Sequence, residues 1–189
     1  MDLLVVRHAH AGAKDRWTGD DRLRPLSARG RGEALALVEL LAPYRPRRVL
    51  SSPLLRCVQT VQPLAAHLGL PVETSEALRP RADRDAASLV RSLGSGTRAV
   101  VVCTHGETIE ALQRRLAPPG QLAFGPGSEH EKGSVWVLSG SGGRFAEAIY
   151  LPPGHARSGS TVREGPRSGA GRTTRVPVHP TELGVLPVE

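Results

Sequence analysis

Residues 3–11 read LLVVRHAHA. The four apolar residues predict a short buried strand over residues 2–6. Buried strands commonly stop at Gly, Pro, Asn or Asp, where the chain bends cheaply. Here the run stops at Arg7, His8, Ala9 and His10, none of them a turn former. Two ionisable types placed directly at a strand end point to chemistry rather than to a change of direction.

Working outward, a long polar loop (GAKDRWTGDDRLRPL, residues 12–26) leads to a helix whose N-cap is Ser27. Ala34, Leu37, Val38 and Leu41 fall on one face of that helix, at i, i+3, i+4 and i+7. RRVLSS (47–52) is a second strand, and LLRCVQTVQPLAAHLG (54–69) a second helix closed by Gly69, with a kink or restart expected at Pro63. PVET (71–74), residues 83–93, RAVVVCTH (98–105) and ETIEALQRRL (107–116) continue as strand, helix, strand and helix. This alternation predicts an α/β fold, a three-layer α/β/α arrangement with a mostly parallel central sheet. GSVWVLS (133–139) and RFAEAIYL (144–151) flank GSGG and predict a C-terminal hairpin, since a phosphate-binding glycine loop would lead into a helix. From Pro152 the chain turns to Gly, Ser, Pro, Arg and Thr without periodic apolar residues. The expected division is therefore a domain over 1–151 and a disordered tail over 152–189.

The 189 residues suit a single core. The net charge of +7 suggests phosphate-bearing partners, but the positive residues are nearly all Arg, with Lys only at Lys14 and Lys132. No basic stripe with interleaved aromatics is present, so nucleic acid is not the expected partner. Cys57 and Cys103 sit among apolar residues and read as buried thiols rather than a disulfide. No stretch has the length of a signal or membrane segment, which predicts a soluble, cytoplasmic protein. His67, His130, His155 and His179 have no partners at informative spacing and are expected at the surface.

In open parallel sheets ligands bind beyond the carboxyl ends of the strands. Arg7 and His8 follow the first strand, Arg56 lies one turn into the helix after the second, and His105 follows the fourth. Two guanidinium groups and two imidazoles around one point suit a phosphoryl group, whose oxygens match guanidinium forks. A neutral imidazole can serve as nucleophile to it.

RHA after the first strand, SSPLLRCVQT (51–60) and THGE (104–107) together resemble the histidine phosphatase superfamily, also called the phosphoglycerate mutase-like fold. The likeness covers residues 1–151 and points to the SixA-type phosphohistidine phosphatase branch. RHAHAGAKDRWTGDD and KGSVWVLS look most like the phosphatase-like domain fused to some MutT-type Nudix hydrolases, here without a Nudix half. The resemblance implies that His8 is the nucleophile that becomes phosphohistidine, with Arg7, Arg56 and His105 as the clamp, and no metal or other cofactor. Ala9 stands where the family usually has Gly, as in the SixA type.

The mutase branch places an acid Glu shortly after the third strand, and here EALRP (76–80) has Pro80 near that position. Glu107 is a stand-in candidate. An absent acid matters for an alkoxide, whose conjugate acid is nearly as weak as water at about 15.7. It matters little for imidazole at about 6.5 or a terminal phosphate at about 6. Expected substrates are thus a phosphorylated protein carrying phosphohistidine, followed by small phosphoanhydrides such as nucleoside di- and triphosphates. His10, Lys14 and Glu107 are the candidate substrate contacts, His10 having loop capping as its alternative role. Lys14, Arg22 and Arg24 form a basic loop that either rests a polyphosphate or is simply solvated. Two other classes remain: a metal site built on His8, His10, His105 and Glu107, opposed by the charge of Arg7 and Arg56, and a non-catalytic binding module, for which His8 would be superfluous.

Overall fold

Leu3, Leu4, Val5 and Val6 are all at most 2% exposed, so the first strand has no face for water and must lie inside a sheet covered on both sides. The structure is a computed structural model that describes residues 1–116 and 130–154. β1 (Asp2–Arg7) is followed by α1 (Ala28–Leu41), β2 (Arg48–Ser51), α2 (Leu55–Leu68), β3 (Val72–Thr74) and α3 (Asp83–Gly94). β4 (Val100–Thr104), α4 (Gly106–Leu116), β5 (Val135–Ser141) and β6 (Arg144–Leu151) complete it. The sheet order is β3-β2-β4-β1-β5-β6. β1 to β4 are mutually parallel and β5 and β6 antiparallel, as the sequence pattern predicts.

Alternation along the strands sends neighbouring residues to opposite layers. Leu3, Val5, Val100 and Val102 pack with Val90, Ile109 and Leu112 of α3 and α4. Leu4, Val6, Val101 and Cys103 pack with Leu37, Leu41, Val61 and Leu64 of α1 and α2. Among the described residues no helix is long and apolar enough to cross a membrane, and both cysteines are free and buried.

Local signals place several boundaries. The Ser27 side chain accepts from the Gly30 amide at 3.1 Å and starts α1, and Gly69, at φ 65°, ends α2. Gly142 and Gly143, both at positive φ, turn the β5–β6 hairpin.

α2 runs on through Pro63, so of the kink and the restart expected there the restart does not occur. Cys57, Val61, Leu64 and Ala65 on the inner face are buried and hold the helix against the sheet on both sides of the proline. His130 is not at the surface: it is buried, and its Nδ1 accepts from the Trp136 indole at 3.4 Å. His67 is exposed. His155, His179 and the tail from residue 155 lie outside the described residues, and Gly154 approaches Ala36 on α1.

Gly30 lets α1 lie on the segment that follows β1, because a Cβ there would collide with the His10 carbonyl. Gly30→Ala should destabilise the protein by about 1–3 kcal/mol, the usual cost of overpacking. Denaturant unfolding of the variant measures it, and an unchanged midpoint would show that the helix is not seated on this segment.

Candidate active site

The catalytic candidates converge because of where three strands stop. Arg7 pairs with Thr104, and Ser51 with Cys103, so the carboxyl ends of β1, β4 and β2 lie side by side. The chain leaves β1 over one layer and returns to β4 from the other, which leaves a crevice at the reversal. The backbone beyond β1 is fixed: the His8 amide donates to Thr104 O and the Arg7 amide to Ser134 O, both at 3.0 Å. Arg7, His8, Arg56 and His105 line a cleft of about 610 Å³ there.

His8 is 7% exposed, and its Nδ1 lies 2.8 Å from the carbonyl oxygen of Ala9. A carbonyl only accepts, so Nδ1 carries the proton and Nε2 keeps its lone pair. Burial first, then the charges of Arg56, Arg7 and Lys132, pull its pKa down to about 3 against the raising effect of the Ala9 bond. Ala9 is itself fixed, its amide donating to Thr60 Oγ1 at 3.0 Å. His8 is therefore held neutral and in one orientation at physiological pH.

His105 is 2% exposed, and its ring centroid is 5.4 Å from that of His8. Its Nε2 is 2.9 Å from Ser52 Oγ and 3.5 Å from Cys57 Sγ. The Ser52 hydroxyl has no other acceptor among the described contacts, so it donates to Nε2, and Nδ1 of His105 keeps its proton for a ligand. Burial, followed by the repulsion that a second protonated ring would meet from His8 and by the charge of Arg56, lowers this histidine also to about 3.

The two arginines are held differently. Gly106 admits the Arg7 guanidinium, because a Cβ there would stand 3.0 Å from Arg7 Cζ. Arg56 is 4% exposed; its Nη1 donates to Asp21 O at 2.8 Å, and its Nη2 is 3.2 Å from Asp21 Oδ2. Nε of both arginines is buried and has no hydrogen-bond partner among the described residues. Asp21 also accepts from Arg24 Nε at 2.8 Å, and Arg24 Nη1 donates to Ala11 O at 2.8 Å. Partial burial pushes the Asp21 carboxyl up, but the Arg24 bond and the charges of Arg56, Arg24 and Lys14 outweigh it and hold the group below its usual range.

Of the substrate-contact candidates, Lys14 and Glu107 line the cleft and His10 does not. His10 Nδ1 is 2.7 Å from Ser27 Oγ, and its amide donates to Glu33 Oε2 at 2.8 Å, which ties the loop to α1. Of the basic loop, Arg22 and Arg24 also line the cleft, and Arg24 is buried and braced rather than a solvated charge. Sequence reasoning missed Asp21, Arg79, Arg81 and Lys132. Pro80 does sit in the cleft wall, and Arg81 beside it takes the left-handed conformation at φ 69°. Only the Arg-Pro-Arg run hinted at this; Lys132 lies far along the chain and reaches the cleft through the turn before β5.

Among the described residues no group of three or more His, Cys, Asp or Glu side chains is placed to hold a metal ion. The charge also disfavours one, since eight cationic side chains face two carboxylates in this cleft.

Comparison with known proteins gives a family and several likenesses. Residues 3–82 match the sequence profile of the histidine phosphatase superfamily (branch 1). An 8-oxo-(d)GTP phosphatase of Mycolicibacterium smegmatis is 37% identical over 162 residues, covering 80% of this chain. The match takes in 48% of that relative, so the chain spans about half its length. The SixA protein of Agrobacterium tumefaciens is 25% identical, with a TM-score of 0.66 over 81% of this chain and 98% of its own. The protein histidine phosphatase SixA complexed with tungstate aligns with a TM-score of 0.64 at 21% identity, covering 82% of this chain and 97% of that one.

The buried neutral histidines make stability depend on pH. Their folded pKa values lie below the unfolded value, so the unfolded chain binds more protons and stability falls as pH drops below about 6.5, until it levels near 3. Between pH 7.5 and 5.5 the loss should be about 1 kcal/mol for each histidine. Urea titrations at the two pH values measure it, and the double variant His8→Asn/His105→Asn should lose much of the slope. A wild-type stability that does not change over this range would contradict the neutral, buried state.

Proposed function

We propose, for a chain that belongs to the histidine phosphatase superfamily, a metal-independent phosphatase that works through a phosphohistidine on His8 and acts on phosphoanhydrides such as nucleoside di- and triphosphates. The observation that carries this reading is the charge of the cleft. Arg7, Arg56 and His105 suffice for one phosphoryl group, yet Lys14, Arg22, Arg79, Arg81 and Lys132 stand around them. A single phosphoryl has no use for five further cations; a chain of phosphates does.

Nε2 of His8 attacks the terminal phosphorus in line, and the bond from phosphorus to the bridging oxygen breaks. The guanidinium groups of Arg7 and Arg56 and the imidazole of His105 meet the equatorial oxygens as their charge grows. The departing phosphate leaves as an anion whose conjugate acid is near 6, so it needs no proton. This fits a wall that has Pro80 where the mutase branch has its acid. The Nδ1–H bond to Ala9 O stabilises the imidazole as it gains positive character. Water then attacks phosphorus, the Nε2–P bond breaks, and its electron pair returns to Nε2. Glu107, which lines the cleft and is exposed, takes the proton of that water in this reading.

A second reading is phosphohistidine hydrolysis, favoured by the likeness to SixA and by a leaving imidazole that also needs no acid. The two are separated by kcat/KM on a phosphohistidine protein, a series of nucleotides and 3-phosphoglycerate. The expected order puts nucleotides first and the phosphoglycerate last. His8→Ala should lower turnover by about 10³-fold or more while the fold persists. Turnover that survives this change, or that a chelator abolishes in the wild type, would refute the mechanism; a preference for the phosphoglycerate would refute the leaving-group argument.

A further inference from the structure

Beside the phosphate cleft, on the other side of Gly12, Ala13 and Arg24, lies a second groove of about 670 Å³. Its lining includes Ala11, Pro25 and Leu26, the polar groups of His10 and Ser27, and the indole of Trp17. Trp17 is 37% exposed, whereas the chain's other tryptophan, Trp136, is buried in the core. Leaving an indole to water forfeits burial of one of the largest apolar side chains, so its presentation calls for a ligand.

The ring is also held still. Its Nε1 donates to Asp20 O at 2.9 Å, and Gly19 lies against its six-membered ring, since a Cβ there would stand 3.2 Å from Cζ2. The turn Lys14–Arg16 just before it and the Asp20-capped turn Asp21–Leu23 just after it fix both ends of the short segment that carries it. The same loop thus offers Lys14, Asp21 and Arg22 to the cleft and Trp17 to the groove.

We infer that this groove is a nucleobase subsite, in which a planar base stacks on Trp17 while its phosphates cross the Gly12–Ala13 lip into the cleft. The inference rests on the phosphoanhydride reading above and adds to it the part of the substrate that carries no charge. Three observations join: an exposed indole tied to its own loop, a groove whose apolar lining (Ala11, Pro25, Leu26) stands beside the polar groups of His10, Arg16, Arg24 and Ser27, and continuity with a cleft whose charge suits polyphosphate. His10, outside the phosphate cleft, lines this groove with its Nδ1 engaged with Ser27. Base stacking on an aromatic is tolerant of sequence and adds affinity without adding to the chemical step.

The test compares a nucleoside triphosphate with inorganic tripolyphosphate, which has the phosphates and no base. The ratio of their kcat/KM values is measured in the wild type, Trp17→Ala and Trp17→Phe. Trp17→Ala should lower the ratio about tenfold, mainly through KM for the nucleotide, and Trp17→Phe should restore most of it. A ratio that stays within about twofold in Trp17→Ala, in an enzyme that does hydrolyse the nucleotide, overturns the subsite and leaves the phosphoanhydride reading standing. A wild-type protein inert towards both triphosphates but active on phosphohistidine overturns that reading and the subsite with it.

Discussion

The hydrogen bond from Nδ1 of His8 to the carbonyl of its own neighbour, Ala9, is the constraint on which the cleft depends. It sets the tautomer, turns Nε2 outward and holds the ring at one angle. Its acceptor is immobile because the Ala9 amide is tied to Thr60, whose hydroxyl is in turn bonded to the Arg56 carbonyl at 2.6 Å. Nucleophile and clamp thus share one local network spanning β1 and α2. Burial and the facing guanidinium groups then keep the ring uncharged without any acidic partner.

Concentrating positive charge in a small cleft works against folding, and the structure answers with Asp21. Its carboxylate and carbonyl hold Arg56 and Arg24 together, and Arg24 ties the arrangement back to the loop at Ala11. The orphan Nε atoms of Arg7 and Arg56 remain as a local cost of the kind that functional sites commonly carry.

Most of the fold was legible because local patterns and global packing agree. The apolar strands, the Ser27 cap, the Gly69 stop and the Gly142–Gly143 turn are local signals, and each sits where the sequence pattern puts it. Arg7, His8, Arg56 and His105 were legible because strand ends in a parallel sheet fall on one side. The restart expected as one alternative at Pro63 does not occur because tertiary packing overrode a local penalty. His130 was misread because its partner, Trp136, is a contact that spacing does not announce. Asp21, Arg81 and Lys132 were missed for a similar reason: each comes from an irregular segment whose path no periodicity encodes. Trp17 shows the same limit, since an aromatic in a polar loop reads equally as a core anchor or as an exposed platform.

The account stands most directly on the state of one ring, and nitrogen NMR of the His8 imidazole reads that state. With ¹⁵N-labelled histidine and a His8→Asn variant for assignment, the account predicts one protonated, pyrrole-type nitrogen at Nδ1 and one bare, pyridine-type nitrogen at Nε2. Both signals should hold unchanged from pH 5 to pH 8. A ring that titrates within that range, or that carries its proton on Nε2, would contradict the claim that this protein holds His8 as a neutral nucleophile aimed into its phosphate cleft.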